Sequence, residues 1–174
     1  MEKIQTGLAA PNRMKVRIKI LLGLACCLGL TGFSDPQARH ELGDVVLVVN
    51  GNVPVANLSL FDARHIFMGE QHYWNSNLPV VLIVPPAGTR QHDVMLHTLY
   101  RMNSSQYRQY WIGRIFRGEA ISPPKTAESS EIANALVSSL GGCITIMNSE
   151  EVRPGSKVLR INGKFPGERG YPLR

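Results

Sequence analysis

Two runs of consecutive aliphatic residues constrain the fold of this chain more than any other feature. They are Val45–Val49 and Val80–Val84, and a third apolar run follows at Cys143–Met147. Unbroken apolar runs of this length are typical of strands whose two faces are both buried. Because helices usually cover both faces of such a sheet, the runs predict an α/β fold.

Segments with helical spacing separate these strands. Ser59 and Asn103 each have an acidic or amide residue three positions later, which is the spacing of a capping box. Gly69 is expected to stop the first helix, and Gly141-Gly142 to form a left-handed cap on the last. A final strand is expected over residues 158–161. The four predicted helices cover residues 59–68, 89–102, 103–116 and 130–140. This alternation favours an α/β sandwich with a mixed or mainly parallel sheet.

The first 34 residues have the parts of a secretory signal peptide. A basic start is followed by the apolar run Ile18–Leu30 and by the small residue Ser34. The apolar run is shorter than the roughly 20 residues that a membrane-spanning helix needs. We therefore expect a cleaved signal peptide at 1–34 and a periplasmic location. A retained anchor and a lipoprotein attached near Cys26 are less favoured, and translation starts at either Met1 or Met14.

The charge of the chain is concentrated in this leader. Residues 1–34 carry five Lys/Arg against one acidic residue, so +4 of the formal net charge of +6 lies there. The remainder is close to neutral, which argues against nucleic acid as a partner. We expect it to form a polar lead-in at 35–44, one domain at 45–162 and a flexible Gly/Pro-rich tail at 163–174.

No sequence pattern for catalysis is present. The chain lacks a P-loop, a dinucleotide fingerprint, a nucleophile elbow and a zinc-protease motif. Its five histidines are dispersed, and Cys143 is the one cysteine outside the leader. We therefore expect no enzyme, no catalytic residue, no metal site and no cofactor, and we interpret Cys143 as a buried structural residue.

One local feature suggests ligand binding. Gly88 and Thr89 follow the second buried run and open a predicted helix, with Arg90 next to them. Backbone amides at a helix start favour an anion, and a hydroxyl and a guanidinium add donors. An ordinary strand-to-helix connection is the competing interpretation. The candidate ligand-binding residues are Gly88, Thr89 and Arg90.

An ordered set of short motifs carries a family resemblance. It runs from Leu58-Ser59 through Ile66-Phe67-Met68-Gly69 to Trp74, and continues with Tyr110-Trp111, Phe116-Arg117-Gly118, Pro123-Pro124 and Gly141-Gly142-Cys143-Ile144. This set resembles the signature of the phosphate ABC-transporter substrate-binding proteins over residues 45–162. The resemblance implies a type 2 periplasmic-binding-protein-like sandwich with a mixed sheet and helices on both faces. At this length it implies about one lobe of the two that close on phosphate.

The resemblance also implies a function. Gly88 and Thr89 match the Gly-Thr end of the family's phosphate loop, whereas Ala87 stands where the family has serine and the preceding Arg and Asp are absent. The first hypothesis is an exported protein that binds phosphate or a similar small anion weakly, in association with a membrane transporter for phosphate uptake. The alternative is a scaffold that has lost binding and contacts an envelope protein. A homodimer that completes a cleft is a third hypothesis.

Overall fold

The computed structural model describes residues 43–75 and 77–174. The predicted signal peptide and most of the predicted lead-in lie outside the described residues. Among the described residues, no helix is long and apolar enough to cross a membrane.

The predicted strands and helices are largely present. The strands are β1 (Val45–Asn50), β2 (Asn57–Leu58), β3 (Tyr73–Asn75), β4 (Leu78–Pro79), β5 (Val81–Val84), β6 (Lys125–Thr126), β7 (Cys143–Asn148), β8 (Ser156–Val158) and β9 (Arg160–Ile161). The helices are α1 (Leu60–Phe67), α2 (Arg90–Val94), α3 (Ser104–Phe116) and α4 (Ser130–Ser139). A π-helical segment, Met95–Tyr100, continues α2, and a 3-10 turn, Ser149–Glu151, follows β7.

Five strands form the central sheet in the order β6-β5-β7-β1-β8. Strand β5 runs parallel to β6 and β7, whereas β1 runs antiparallel to β7 and β8. The sheet is therefore mixed, as predicted. Two small pairs, β2 with β9 and β3 with β4, lie outside it.

Helices cover both faces of this sheet. Successive side chains of β1 point to opposite sides, so this strand contributes to two cores. Val45, Leu47 and Val49 pack in one core with residues of α1, the π-helical segment and α3. Val46 and Val48 pack in a second core with Ala133 and Val137 of α4. All six residues of β1 are buried, which confirms the pattern of the apolar run.

Side-chain caps define where the helices begin. Ser59 and Asn103 form the two predicted capping boxes, and Thr89 caps α2 by accepting a hydrogen bond from the amide of His92. Such caps each contribute about 1 kcal/mol to the stability of a helix. Gly69 has φ +70°, so it turns the chain out of α1 as predicted.

The prediction of a left-handed Gly141-Gly142 cap is wrong. Neither glycine has a φ in the left-handed region, and α4 ends with Leu140 in an extended conformation. Gly142 is required for a different reason. A Cβ at this position would lie 1.8 Å from the carbonyl oxygen of Pro79 in β4. The predicted strand at residues 158–161 is also divided, since β8 and β9 belong to different sheets.

The end of the chain is packed, so the prediction of a flexible tail fails for its last residues. Tyr171 and Leu173 are buried in the same core as Val45. The carbonyl oxygen of Leu173 accepts a hydrogen bond from the amide of Val45 at 3.2 Å. Two buried apolar side chains and this backbone hydrogen bond hold the end of the chain against the start of β1.

Candidate functional site

The signature residues of α1 and α3 meet at the C-terminal end of α1. Tyr110 Oη donates a hydrogen bond to the carbonyl oxygen of Met68 at 2.8 Å, and the buried Arg114 donates to the same oxygen and to that of Gly69. Tyr100 donates to the carbonyl oxygen of Phe67. These side chains satisfy carbonyls that have no partner within the helix. They therefore join the end of α1 to α3 and, through Tyr100, to the π-helical segment.

Trp74 and Gly142 form a second structural contact. Trp74 Nε1 donates to the carbonyl oxygen of Gly142 at 2.8 Å, and the amide of Val81 donates to the same oxygen at 3.0 Å. The motifs that carry the resemblance thus fix how β3, β5 and the start of β7 lie together. The order of these motifs in the sequence therefore follows from the contacts that the fold requires between them.

The three candidate residues are adjacent in the chain, but their side chains have separate environments. Gly88 has φ +84° and turns the chain into α2. Thr89 Oγ1 donates to the carbonyl oxygen of Pro86 at 2.8 Å and accepts from the amide of His92 at 3.3 Å. The Thr89 hydroxyl therefore already has both a donor and an acceptor within its own loop.

Arg90 points to the start of the sheet. Its guanidinium donates to the carbonyl oxygen of Gly43 at 2.6 Å and lies 3.4 Å from Asn148 Oδ1. It does not line the cavity next to Thr89. Its charge lies near the end of β7 and away from the lining of this cavity.

A cavity of about 190 Å³ lies where the parallel strands β5, β6 and β7 end. Pro85 and Pro86 border it after β5, Ala127 after β6 and Met147 near the end of β7. The beginnings of α2 and α4 also border it, through Thr89, Gln91, Ser129 and Ser130. Ligands of open α/β sheets bind at the carboxyl ends of the strands. The first amides of each helix lack partners within the helix, so this position favours negative charge.

The carboxylate of Glu151 lies between the two helix starts. Oε1 accepts a hydrogen bond from Ser130 Oγ of α4 at 3.1 Å, and Oε2 accepts one from Gln91 Nε2 of α2 at 3.2 Å. The backbone amide of Asn148 lies 3.4 Å from Oε2. Two side-chain donors and one backbone amide, from α4, α2 and β7, therefore surround an anionic group that belongs to the protein itself.

Sequence analysis did not identify Ser129, Ser130, Gln91 or Glu151 as site residues. Ser129 directly precedes an amphipathic helix and Ser130 is its first residue, so their position at a helix start could have been recognised. Nothing in the sequence indicates that Glu151, in a short turn after β7, reaches both helices.

Cys143 is buried, as the sequence analysis interpreted it. The Cys143 side chain is buried, and burial raises its pKa to about 12, so the thiol is protonated at neutral pH and a poor nucleophile. Within residues 43–75 and 77–174, no three His, Cys, Asp or Glu side chains are grouped so that they could hold a metal ion.

No family model and no curated protein matches the sequence. Solved structures do match the fold. A Clostridium perfringens protein described as a phosphate ABC transporter substrate-binding protein, with bound phosphate, has a TM-score of 0.57 at 16% identity, over 71% of this chain and 46% of that one. An ABC-type phosphate transport receptor from Vibrio cholerae has a TM-score of 0.57 at 14% identity, over 71% and 48%.

PstS from Borrelia burgdorferi also has a TM-score of 0.57, at 11% identity, over 75% of this chain and 54% of that one. The chain thus spans about half the length of these solved structures. In its described part, this protein has the fold of the phosphate-transporter substrate-binding proteins, over an extent that corresponds to about one lobe.

Proposed function

We propose that this chain is an exported solute-binding protein that binds phosphate or a similar small oxyanion at the edge where α2 and α4 begin. The observation that carries the proposal is that donors from both helices already hold a carboxylate, that of Glu151. In the same proposal the leader directs the protein to the periplasm, and a membrane transporter for phosphate uptake is its partner.

The donors available to an incoming anion come from these helix starts. Ser130 Oγ and Gln91 Nε2 bind Glu151 and would bind an oxyanion with the same geometry. The first backbone amides of α4 add donors and the positive end of the helix dipole. Thr89 and Gly88 shape the loop, and Arg90 adds charge from the side of Asn148. Without a bidentate arginine contact, the binding is expected to be weak.

Glu151 competes with the ligand for these donors. Its negative charge also repels an anion in the cavity, and the exposed Glu128 lies at the rim with the same sign. Two unit charges 4 Å apart interact by about 1 kcal/mol in water and more strongly where water is excluded. A bound oxyanion must therefore displace the Glu151 carboxylate from Ser130 and Gln91.

Glu151→Gln is expected to strengthen phosphate binding about tenfold, because it removes the repulsion and weakens the competing contacts. Calorimetric titration of the protein with phosphate, and with sulfate in parallel, measures the change. Glu150→Gln is the matched control, since Glu150 is exposed and does not line the cavity. It should leave the affinity within twofold of the unmodified protein. Equal affinities in the two variants, or no heat with millimolar phosphate in any of the three proteins, would contradict the proposal.

A further inference from the structure

A larger cavity, of about 430 Å³, lies between α2, α3 and the loop before β6. Among its lining residues it shares only Pro85 with the cavity that holds Glu151. Its walls are mainly apolar, and they include Val84, Trp111, Ile112, Ile115, Pro123 and Pro124. A cavity of this size is in the range of about 300–1,000 Å³ that is typical of small-molecule sites.

Two residues that line this cavity have a buried polar side-chain atom without a hydrogen-bond partner among the described residues, His92 at Nδ1 and Trp111 at Nε1. His92 is 5% exposed, and its Nδ1 makes no hydrogen bond among the described residues. The nearest carboxylate oxygen, Oδ1 of Asp93, is 4.0 Å away, which is too far for a hydrogen bond. Burial lowers the pKa of His92, so a neutral imidazole is present at neutral pH. A buried polar atom without a partner is costly, and a ligand that satisfies it would gain that free energy.

The charged side chain at the rim of this cavity is basic. Arg108 is exposed and lines the cavity, and it forms no ion pair within the described part of the chain. Within the part of the chain that the structure describes, no acidic residue lines this cavity. The site therefore differs from the one between α2 and α4, which two carboxylates line. It combines an apolar interior, a polar group inside and a positive charge at the entrance.

We infer that this cavity binds a small amphipathic acid, with an aromatic or branched aliphatic body and a carboxylate. The body lies against Trp111, Ile112 and Ile115, and the carboxylate lies beside Arg108. His92 offers a hydrogen bond to a polar atom of the ligand. This second site goes beyond anion binding between α2 and α4 and does not depend on it.

The probe is 4-phenylbutyrate, and 4-phenylbutyramide is its neutral analogue. Calorimetric titration of the full chain is expected to give saturable binding of both, with the acid bound at least fivefold more tightly because of Arg108. Arg108→Gln should remove this preference and leave the affinity for the amide unchanged. Arg169→Gln removes the same charge at an exposed position away from the cavity, and it should retain the preference.

Two further measurements locate the acid. Ile112→Glu places a negative charge on the apolar wall at a side chain that is 59% exposed, so the fold tolerates it, and binding of the acid should be lost. Saturating phosphate should not displace the acid, because the two cavities are separate. The inference is overturned if neither probe binds at 5 mM, if Arg108→Gln retains the preference, or if phosphate competes with the acid.

Discussion

Gly142→Ala is expected to destabilise the protein by about 3 kcal/mol or more. The new Cβ would lie 1.8 Å from the carbonyl oxygen of Pro79 and 3.0 Å from its carbonyl carbon, so backbone must move. The carbonyl of Gly142 accepts hydrogen bonds from Trp74 Nε1 and from the amide of Val81, and a shift disturbs both. Overpacking costs about 1–3 kcal/mol, and each hydrogen bond adds about 1 kcal/mol.

The neighbouring glycine provides the control for this substitution. A Cβ at Gly141 would meet only Leu78 Cδ1, at the ordinary contact distance of 3.7 Å, and its φ is not in the left-handed region. Gly141→Ala should therefore change the free energy of unfolding by no more than about 0.5 kcal/mol. Urea unfolding of both variants measures the difference. Free energies within 1 kcal/mol of each other would contradict the close contact with β4.

Leu173→Ala is expected to cost about 2–5 kcal/mol, although it is the second-to-last residue of the chain. The Leu173 side chain is fully buried and packs in the core that contains Val45. Removing it leaves a cavity in that core, and buried Leu→Ala substitutions generally cost this much. At a loose chain end, the same substitution would have almost no effect.

Thermal or urea unfolding measures this effect, with Arg174→Ala as the control for the chain end. The Arg174 side chain is 53% exposed and lies 3.7 Å from Asp44, so its removal should cost less than about 1 kcal/mol. If Leu173→Ala is no more destabilising than Arg174→Ala, this result contradicts the burial of Leu173 in the core.

The elements that follow from local chemistry were predictable from the sequence. The β1 run is buried on both faces because its residues are all aliphatic up to Asn50, and Ser59 and Asn103 cap helices because their side chains reach an amide three residues later. The α/β class follows from these elements, whereas they are compatible with both a mixed and a mainly parallel sheet. The family resemblance agrees with the fold that the solved structures share.

Features that depend on contacts distant in the sequence were not predictable. Gly142 resembles a helix cap in the sequence, but its requirement comes from the approach of Pro79, which lies 63 positions earlier. Leu173 lies in a segment with the composition of a tail, and only the position of β1 shows that it has a core to enter. Composition describes a segment and does not say what surrounds it.

For the same reason, only part of the candidate site was predictable from the sequence. The start of α2 was visible in the sequence through Gly88 and Thr89. The start of α4 joins it only because β5, β6 and β7 are parallel and end at one edge. Glu151 comes from a third element, and its contacts with Ser130 and Gln91 span 21 and 60 positions. A pairing of that kind depends on the sheet order.

The central claim is that a small oxyanion binds between the first turns of α2 and α4. Amide chemical shifts recorded during a phosphate titration of the protein test it most directly. The account predicts saturable shifts that are largest at Gln91, Ser130 and Glu131, in the first turns of the two helices. In Glu151→Gln, the same shifts should saturate at a lower phosphate concentration. No shift at 10 mM phosphate, or shifts confined to residues away from both helix starts, would contradict it.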